Sequence, residues 1–512
     1  MIFSNIHCGN LHAAFCGTLS LNTTSEKNMM NHSRKNYALC VLLLFAAIPL
    51  FAQDVDLLTG RAIINMPIGG ISALDLSVGV NLSHHGGSLR VSEGPGNAGM
   101  GWNISGGGYV VREVRGLPDD YNGTTKKGWL YNSNASNTQS FNTSSDDNLA
   151  DCTDETSNYN YLNTLNYNND TEPDVFYFNA PGLSGKFVLG ADGQPKLIPY
   201  QDLQITFGST ITIKNNMGIT YTFGQTESLE RTAKLYDNNT ASDVTAFKTN
   251  YNFYSSAISF THRWNLSSIQ SSVTGATATF SYQTGDEAQS ANYVTLIQPN
   301  APSQPTTQVD TLYYLLDKIH SPKELTSVTL GSYTLAFEWA NSLINSVTIS
   351  ESETGDSRKF LFEYASVQGN TSGIMPLDKP FLFEVKQVQN CVPLPSYSFM
   401  YTGVSIVTES GVETKVASIP WFTGQAQDFF GYYNGNNSNK NIPTVYFYEA
   451  ESGARRLRVT PIPSGATLTQ QLNGTSASAN LMLPNAAYVG FGALSRITYP
   501  TGGLTVIAYE PN

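Results

Sequence analysis

The chain has 512 residues with 28 basic and 40 acidic groups, a net charge of −12. That balance excludes a surface built to neutralise phosphate backbones, so nucleic acid is not an expected partner. Many Gly, Asn, Ser and Thr residues, frequent Tyr and Phe, and only 13% charged residues are the composition of an exported β protein with many turns.

Residues 1–52 read as a leader. Arg34 and Lys35 precede an apolar run over 37–51, followed by Ala52-Gln53-Asp54, which is the order of a secretory signal. Translation is expected to start at Met30, with cleavage after Ala52 and delivery outside the cell or to its surface. The apolar run is too short for a stable membrane helix, so no membrane span is expected after processing. The leader carries Lys27, Arg34, Lys35 and Glu26, so its removal takes the charge from −12 to −14. Cys152 and Cys391 then remain, either paired or free, and too far apart for a zinc knuckle.

The densest local pattern lies over 57–120, within a glycine-rich β region expected over 53–130. An apolar run over 63–68 is expected to end at the turn residues of 67–70. Leu74, Leu76, Val78, Val80 and Leu82 alternate with Asp75, Ser77, Gly79 and Asn81, the period of a half-buried strand. Gly86-Gly87 turns the chain, 89–93 resumes the alternation, and glycines lead into Trp102 and into 109–114. Such glycines mark positive φ or approaches too close for a Cβ.

Residues 131–172 are polar and irregular, as expected of a flexible insertion. Their acidic cluster, Asp146, Asp147, Asp151, Asp154 and Glu155, lacks the spacing of a calcium loop and reads as a solvated loop. Strand-like runs recur every eight to twelve residues over 173–298, with turns at Gly208, over 215–218 and at Gly224. A Pro/Ser/Gln/Thr linker over 299–307 separates this region from a second β region over 308–512. No stretch keeps an amphipathic helical period for more than two turns. The fold class is therefore all-β, with short antiparallel strands in large sheets or sandwich-like layers. The strand–turn–strand pattern over 494–509 closes on Asn512 with no cap, from which a continuation is expected.

Five segments carry a resemblance: AGMGWNISGGG (98–108), VREVRGLPDD (111–120), DVFYFNAPGLSGKFVL (174–189), FFGYYNG (429–435) and ITYPTGG (497–503). In this order they resemble the N-terminal, pre-repeat region of secreted Rhs/YD-repeat proteins of the Bacteroidetes type, distant relatives of toxin-complex shell components. The resemblance implies sheets of a shell or cocoon that continues into YD repeats and encloses a C-terminal effector. This chain has no run of such repeats, no cleavage segment of the family's kind and no effector region, as in a gene fragment, a split gene or a degenerate stand-alone copy. The expected partner is a downstream YD-repeat shell, or another secreted protein, joined by strand pairing.

The chemistry-bearing residues form no evident reaction centre. GPGNAG (94–99) matches GxGxxG formally but leads into more glycine and a strand, not a helix. His84 and His85 are adjacent, so a strand points them to opposite faces, while His262 and His320 are isolated. No GxSxG elbow or HExxH occurs. Asp119, Asp120 and Asp428 are conceivable glycosidase acids, but Asp119-Asp120 after Pro118 reads first as a turn whose carboxylates accept backbone N–H groups. Trp102, Trp129, Trp264, Trp339 and Trp421 read mainly as packing residues, with a sugar-stacking platform as the other reading. No catalytic residue, metal or cofactor is therefore assigned. The residues expected to matter are architectural: Gly99, Gly101, Trp102, Gly106, Gly107, Gly108, Gly116, Pro118, Tyr499, Pro500, Gly502 and Gly503. At Gly107 a valine is expected to damage folding through backbone strain. The function expected is a non-catalytic secreted scaffold. The alternatives are an extracellular carbohydrate- or surface-binding module, with a cell-surface glycan as partner, and a hydrolase.

Overall fold

A computed structural model describes residues 53–56, 61–131 apart from 92 and 125, 170, 172–235, 257–296, 311–367, 379–408, 415–418, 426–435 apart from 429, 446–449, 455–458, 467–471 and 484–509. The protein is all-β. Among the described residues the helical elements are two single 3-10 turns, Trp129–Tyr131 and Ala486–Tyr488. No helix there is long and apolar enough to cross a membrane. The acidic cluster at 146–155, Cys152, the expected linker over 299–307, Trp421 and residues 1–52, read above as a leader, lie outside the described residues.

Near the N-terminus, Gln53–Asp56, Arg61–Ala73, Leu76–Gly86 and Trp102–Ser105 form a four-stranded sheet in that order. Period-two patterning builds it: Leu76, Val78, Val80 and Leu82 are buried, while Ser77, Gly79 and Asn81 are exposed. Leu74 departs from the face that its place in the alternation predicts. Ala73 pairs with Leu76, so Leu74 and Asp75 become a two-residue turn. Leu74 then takes φ 56° and is 80% exposed. The strand expected to stop at 67–70 continues to Ala73. Pro67 pairs with Asn81 and Gly69 with Val80, so the intervening Ile68 is accommodated as a bulge. Among the described residues of 89–93 none belongs to a strand; Arg90 makes an isolated bridge to Tyr432, with Leu89 and Val91 buried on either side.

The second sheet system joins twenty-one strands into one continuous, branched arrangement whose ladders, among the described residues, leave Leu504–Val506 paired on one side only. Its ladders are antiparallel, apart from a single parallel pair, Ser366 with Val416. Tyr109–Glu113 sits between Val175–Ala180 and the middle of Ile258–Ser271. The turn expected at Gly224 is instead a bulge inside the 17-residue strand Ile219–Leu235, because Phe223 pairs with Leu266 and Gln225 with Asn265. The sheet runs on past the expected linker. Ala288–Leu296 pairs with Thr311–His320, and Thr277–Thr284 with Lys323–Leu330. One apolar cluster extends from Ala62 to Ile507 across both sides of it. A separate three-stranded sheet is ordered Arg455–Arg458, Tyr446–Glu449, Thr467–Gln471.

The N-terminal sheet packs on the large one. Backbone bonds run from Met100 N–H to the Pro380 carbonyl (2.8 Å) and from Ile344 N–H to the Asn97 carbonyl (2.9 Å). Trp102 is fully buried, with its ring 4.7 Å from those of His84 and Phe399. Its indole N–H donates to the Tyr401 hydroxyl (2.9 Å), which donates to the Leu382 carbonyl (2.6 Å). The indole N–H and the hydroxyl of this relay are thus both partnered, which is the condition for burying them without a large desolvation cost.

Candidate functional site

The architectural residues divide by what the backbone asks of them. Gly99, Gly101, Gly116 and Gly502 take φ of 98°, 73°, 79° and 81°, a region that L side chains rarely enter. Gly106 and Gly108 are needed for close approach. A Cβ on Gly106 would stand 2.5 Å from the Phe337 ring, and one on Gly108 2.8 Å from the Asn179 carbonyl. Gly107 differs from expectation. Its φ is outside the left-handed region, and a Cβ would meet the Tyr282 hydroxyl at 3.3 Å. Any cost of a valine there comes from that hydroxyl and not from strained backbone. Tyr499, Pro500, Gly502 and Gly503 build the turn between Leu494–Thr498 and Leu504–Val506. The Tyr499 N–H donates to the Gly503 carbonyl and the Gly502 N–H to that of Tyr499, each at 2.9 Å. A Cβ on Gly503 would find only ordinary contacts.

The five resembling segments are linked, some directly and some through an intervening stretch of chain. Val175–Ala180 pairs with Tyr109–Glu113, joining the second segment to the third. The strand carrying Phe399 and Tyr401, which hold Trp102, pairs with Leu494–Thr498. The FFGYYNG segment clamps the chain just before the first segment. Val91 N–H donates to the Gly431 carbonyl and Tyr433 N–H to that of Leu89. Asp428 is spent on this turn, its Oδ1 accepting from the Phe430 and Tyr432 N–H groups at 2.9 Å each.

Two polar centres flank this junction. The first is a closed knot under VREVRGLPDD. Arg112 continues the buried face of Val110, and its Nε lies 2.6 Å from Asp174 Oδ2. Asp174 also accepts from the Arg115 and Asp119 N–H groups, at 2.8 and 2.9 Å. In return its own N–H donates to Asp119 Oδ1 at 2.9 Å. The Leu117 N–H donates to Asp170 Oδ2, and Arg112 Nη2 reaches Asp120 at 2.8 Å. The loop carboxylates of Asp119 and Asp120 thus hold a turn, Asp119 buried and Asp120 exposed. Burial, then the neighbouring Asp174 charge, pushes Asp119 up to about 8. Burial chiefly lifts Asp170 to about 7, and burial outweighs Arg112 to raise Asp174. Burial opposes the charge on Arg112, but Asp174 and Asp120 outweigh it and raise its pKa. Asp119 Oδ2 is buried with no hydrogen-bond partner. Among the described residues no group of three or more His, Cys, Asp or Glu is arranged to hold a metal ion. His84, buried on the Trp102 side of its strand, is pushed down to about 3 by burial and then by His85.

The second centre is open. A half-open cavity of about 500 Å³ lies where the exposed face of Leu76–Gly86 meets the turns of the large sheet. Ser77, Gly79, Asn81 and Ser105 line it from the N-terminal sheet; Tyr109, Asn179, Tyr221 and Met217 line it from the large one. Asp75 stands at its end, accepting from the Ser271 hydroxyl at 2.6 Å and the Thr274 hydroxyl at 2.5 Å. Those two bonds lower its pKa. Sequence reasoning missed this site because its walls come from segments up to about 190 residues apart. One signal was available: Gly79, a glycine in the middle of an otherwise regular alternation. For the knot, the signal was Arg112, a charge in phase with buried Val110 and half-buried Val114.

No protein-family model matches this chain, and no curated protein matches it at significant similarity.

Proposed function

We propose that the chain is a non-catalytic exported scaffold, the N-terminal portion of an Rhs/YD-repeat shell that encapsulates or presents an effector through strand pairing. The observation that carries this reading is that the five resembling segments are linked to one another, directly or through an intervening stretch of chain, around the N-terminal sheet and the large sheet it packs on. Residues spread over more than 400 positions are spent there on backbone bonds, packed rings and turns, which leaves them structural work and no reacting group. The buried acids of the knot fit the same reading, since each is engaged with backbone N–H groups or Arg112.

The attachment point in this reading is the outer edge of Leu504–Val506, which pairs only with Leu494–Thr498 among the described residues. Such an edge offers unpaired N–H and C=O groups to a further strand. The test is co-expression with a secreted YD-repeat polypeptide of the same organism, followed by hydrogen exchange. Co-purification with new protection of the amides of 504–506 is the expected result. A chain that stays separate, with those amides exchanging as before, overturns the scaffold reading.

A further inference from the structure

We propose that the cavity between the two sheets binds a neutral saccharide. The inference goes beyond the scaffold reading and stands independently of it.

The first argument is unspent hydrogen-bonding capacity. The side chains of Ser77, Asn81, Asn179 and Tyr109 line the cavity, and none has a hydrogen-bond partner among the described residues. Two amides and two hydroxyls offer both donors and acceptors. A ligand covered in hydroxyl groups, each donor and acceptor at once, uses such a set fully. Asp75 adds an ionised acceptor already oriented by Ser271 and Thr274. A carboxylate has lone pairs left after two such bonds, enough to accept from vicinal hydroxyls.

The second argument is charge. No Lys or Arg lines the cavity, and Asp75 is its one charged group. Phosphorylated, sulfated or carboxylated ligands would meet repulsion with no counter-charge. Arg263 lies 4.3 Å above one face of the Tyr109 ring but is not itself part of the lining.

The third argument is Gly79. Glycine inside a strand weakens it and needs a reason. Here φ is ordinary, and a Cβ would find a single neighbour, Asn81 Nδ2, at 3.8 Å. Neither strain nor packing asks for glycine. Its missing side chain keeps the cavity floor open, as a site needs when a ligand approaches the backbone closely. The volume of about 500 Å³ falls within the range of small-ligand sites and accommodates one or two sugar rings.

The rim completes the case. Three turns are tied together around the mouth: Asp75 bonds Ser271 and Thr274, and the Ser272 hydroxyl donates to the Gly218 carbonyl at 2.8 Å. On these turns Leu74, Met217 and Val273 are 80%, 64% and 76% exposed. Of these only Met217 lines the cavity itself, where an apolar side chain suits the C–H face of a pyranose ring, which is apolar while its edges are polar.

The probe is a printed array of neutral hexose and N-acetylhexosamine oligosaccharides, with sulfated, sialylated and amine-bearing spots alongside. The best binder is then titrated into the full chain by calorimetry. Retention of neutral saccharides is expected. Asn81→Ala is expected to weaken binding about tenfold through loss of its amide bonds, and Gly79→Val to abolish it by filling the floor. Asn81→Ala is expected to keep the parent's thermal unfolding, and Gly79→Val to unfold at no lower temperature than the parent. If Gly79→Val fails to fold, Asn81→Ala alone decides the matter. Retention only of charged spots, no retention at all, or neutral-saccharide binding that Asn81→Ala leaves unchanged overturns the proposal.

Discussion

The closed knot at Arg112 and the open cavity at Asn81 lie within one short stretch of chain, yet they treat polar groups in opposite ways. In the knot, Arg112, Asp174 and Asp119 are buried and turn inward on each other and on backbone N–H groups. In the cavity, Ser77, Asn81 and Asn179 are exposed and make no such bonds. Buried polar groups engaged with one another, as these are apart from Asp119 Oδ2, specify a structure and resist change, whereas exposed unengaged ones cost little and remain available to a ligand. The contrast also explains why density of ionisable residues is a poor guide here. The most strongly perturbed carboxyls belong to the knot, and the cavity has a single acid.

The largest effect is expected from breaking the knot. Arg112→Met leaves Asp174 buried without its counter-charge and is expected to cost about 3–5 kcal/mol, read by urea or thermal unfolding. A loss no larger than that of an exposed charge pair, such as Lys196–Asp192, would show that the knot is not a buried unit. Gly108→Val comes next. It drives a Cβ into the Asn179 carbonyl and Ala180, at the strand that links cavity to knot. A loss of about 1–3 kcal/mol is expected in the same assay, with Gly107→Val costing less, since its nearest obstacle is a side-chain hydroxyl.

A smaller effect is expected from pH. Asp119 and Asp170 have folded-state values raised to about 8 and about 7. A raised value means that the folded protein holds the proton more tightly than the unfolded chain. The associated stability is fully present below the unfolded carboxyl value and is lost as pH rises through about 7 and 8. Unfolding midpoints should therefore fall from pH 6 to pH 9. Asp119→Asn keeps the oxygen that accepts from the Asp174 N–H and cannot ionise, so it should flatten that fall while leaving the pH 6 midpoint close to the parent's. The same steep fall in the variant would remove the knot from the explanation. On the acid side, His84 and His262 are lowered to about 3 and about 4 by burial. Their contribution is present above the ordinary histidine value and lost as pH falls toward those values. The smallest effect belongs to the cavity. Gly79→Ala is expected to stabilise by about 0.5–1 kcal/mol, because strand glycine carries an entropic cost that no contact offsets here. Destabilisation in thermal unfolding would mean that the glycine serves packing after all.

Much of the fold was legible from residue order. The alternation from Leu76 to Leu82 gives both the strand and its buried face, and turn residues mark most of the hairpins. Errors arose where pairing overrode local pattern. Leu74 fits the apolar period but falls in a two-residue turn because Ala73 pairs with Leu76. Gly224 looks like a break but is absorbed as a bulge because the strands on either side of it pair with one continuous partner. Residues 89–93 alternate correctly, yet their backbone finds Gly431 and Tyr433 in place of a ladder. The candidate site was almost illegible. Asp75, Asn81, Asn179 and Tyr221 are ordinary surface-type residues until the two sheets meet.

From its own order of residues, this protein is committed to β structure, to turns at its glycines and to an apolar face on each strand, because period and backbone freedom are local properties. Tertiary structure decided which glycine serves positive φ, which makes room for a carbonyl and which leaves a cavity. It also decided that Arg112 answers Asp174 across 62 positions. Those outcomes depend on what stands opposite in space, and spatial opposition is set only when the sheets pair and pack.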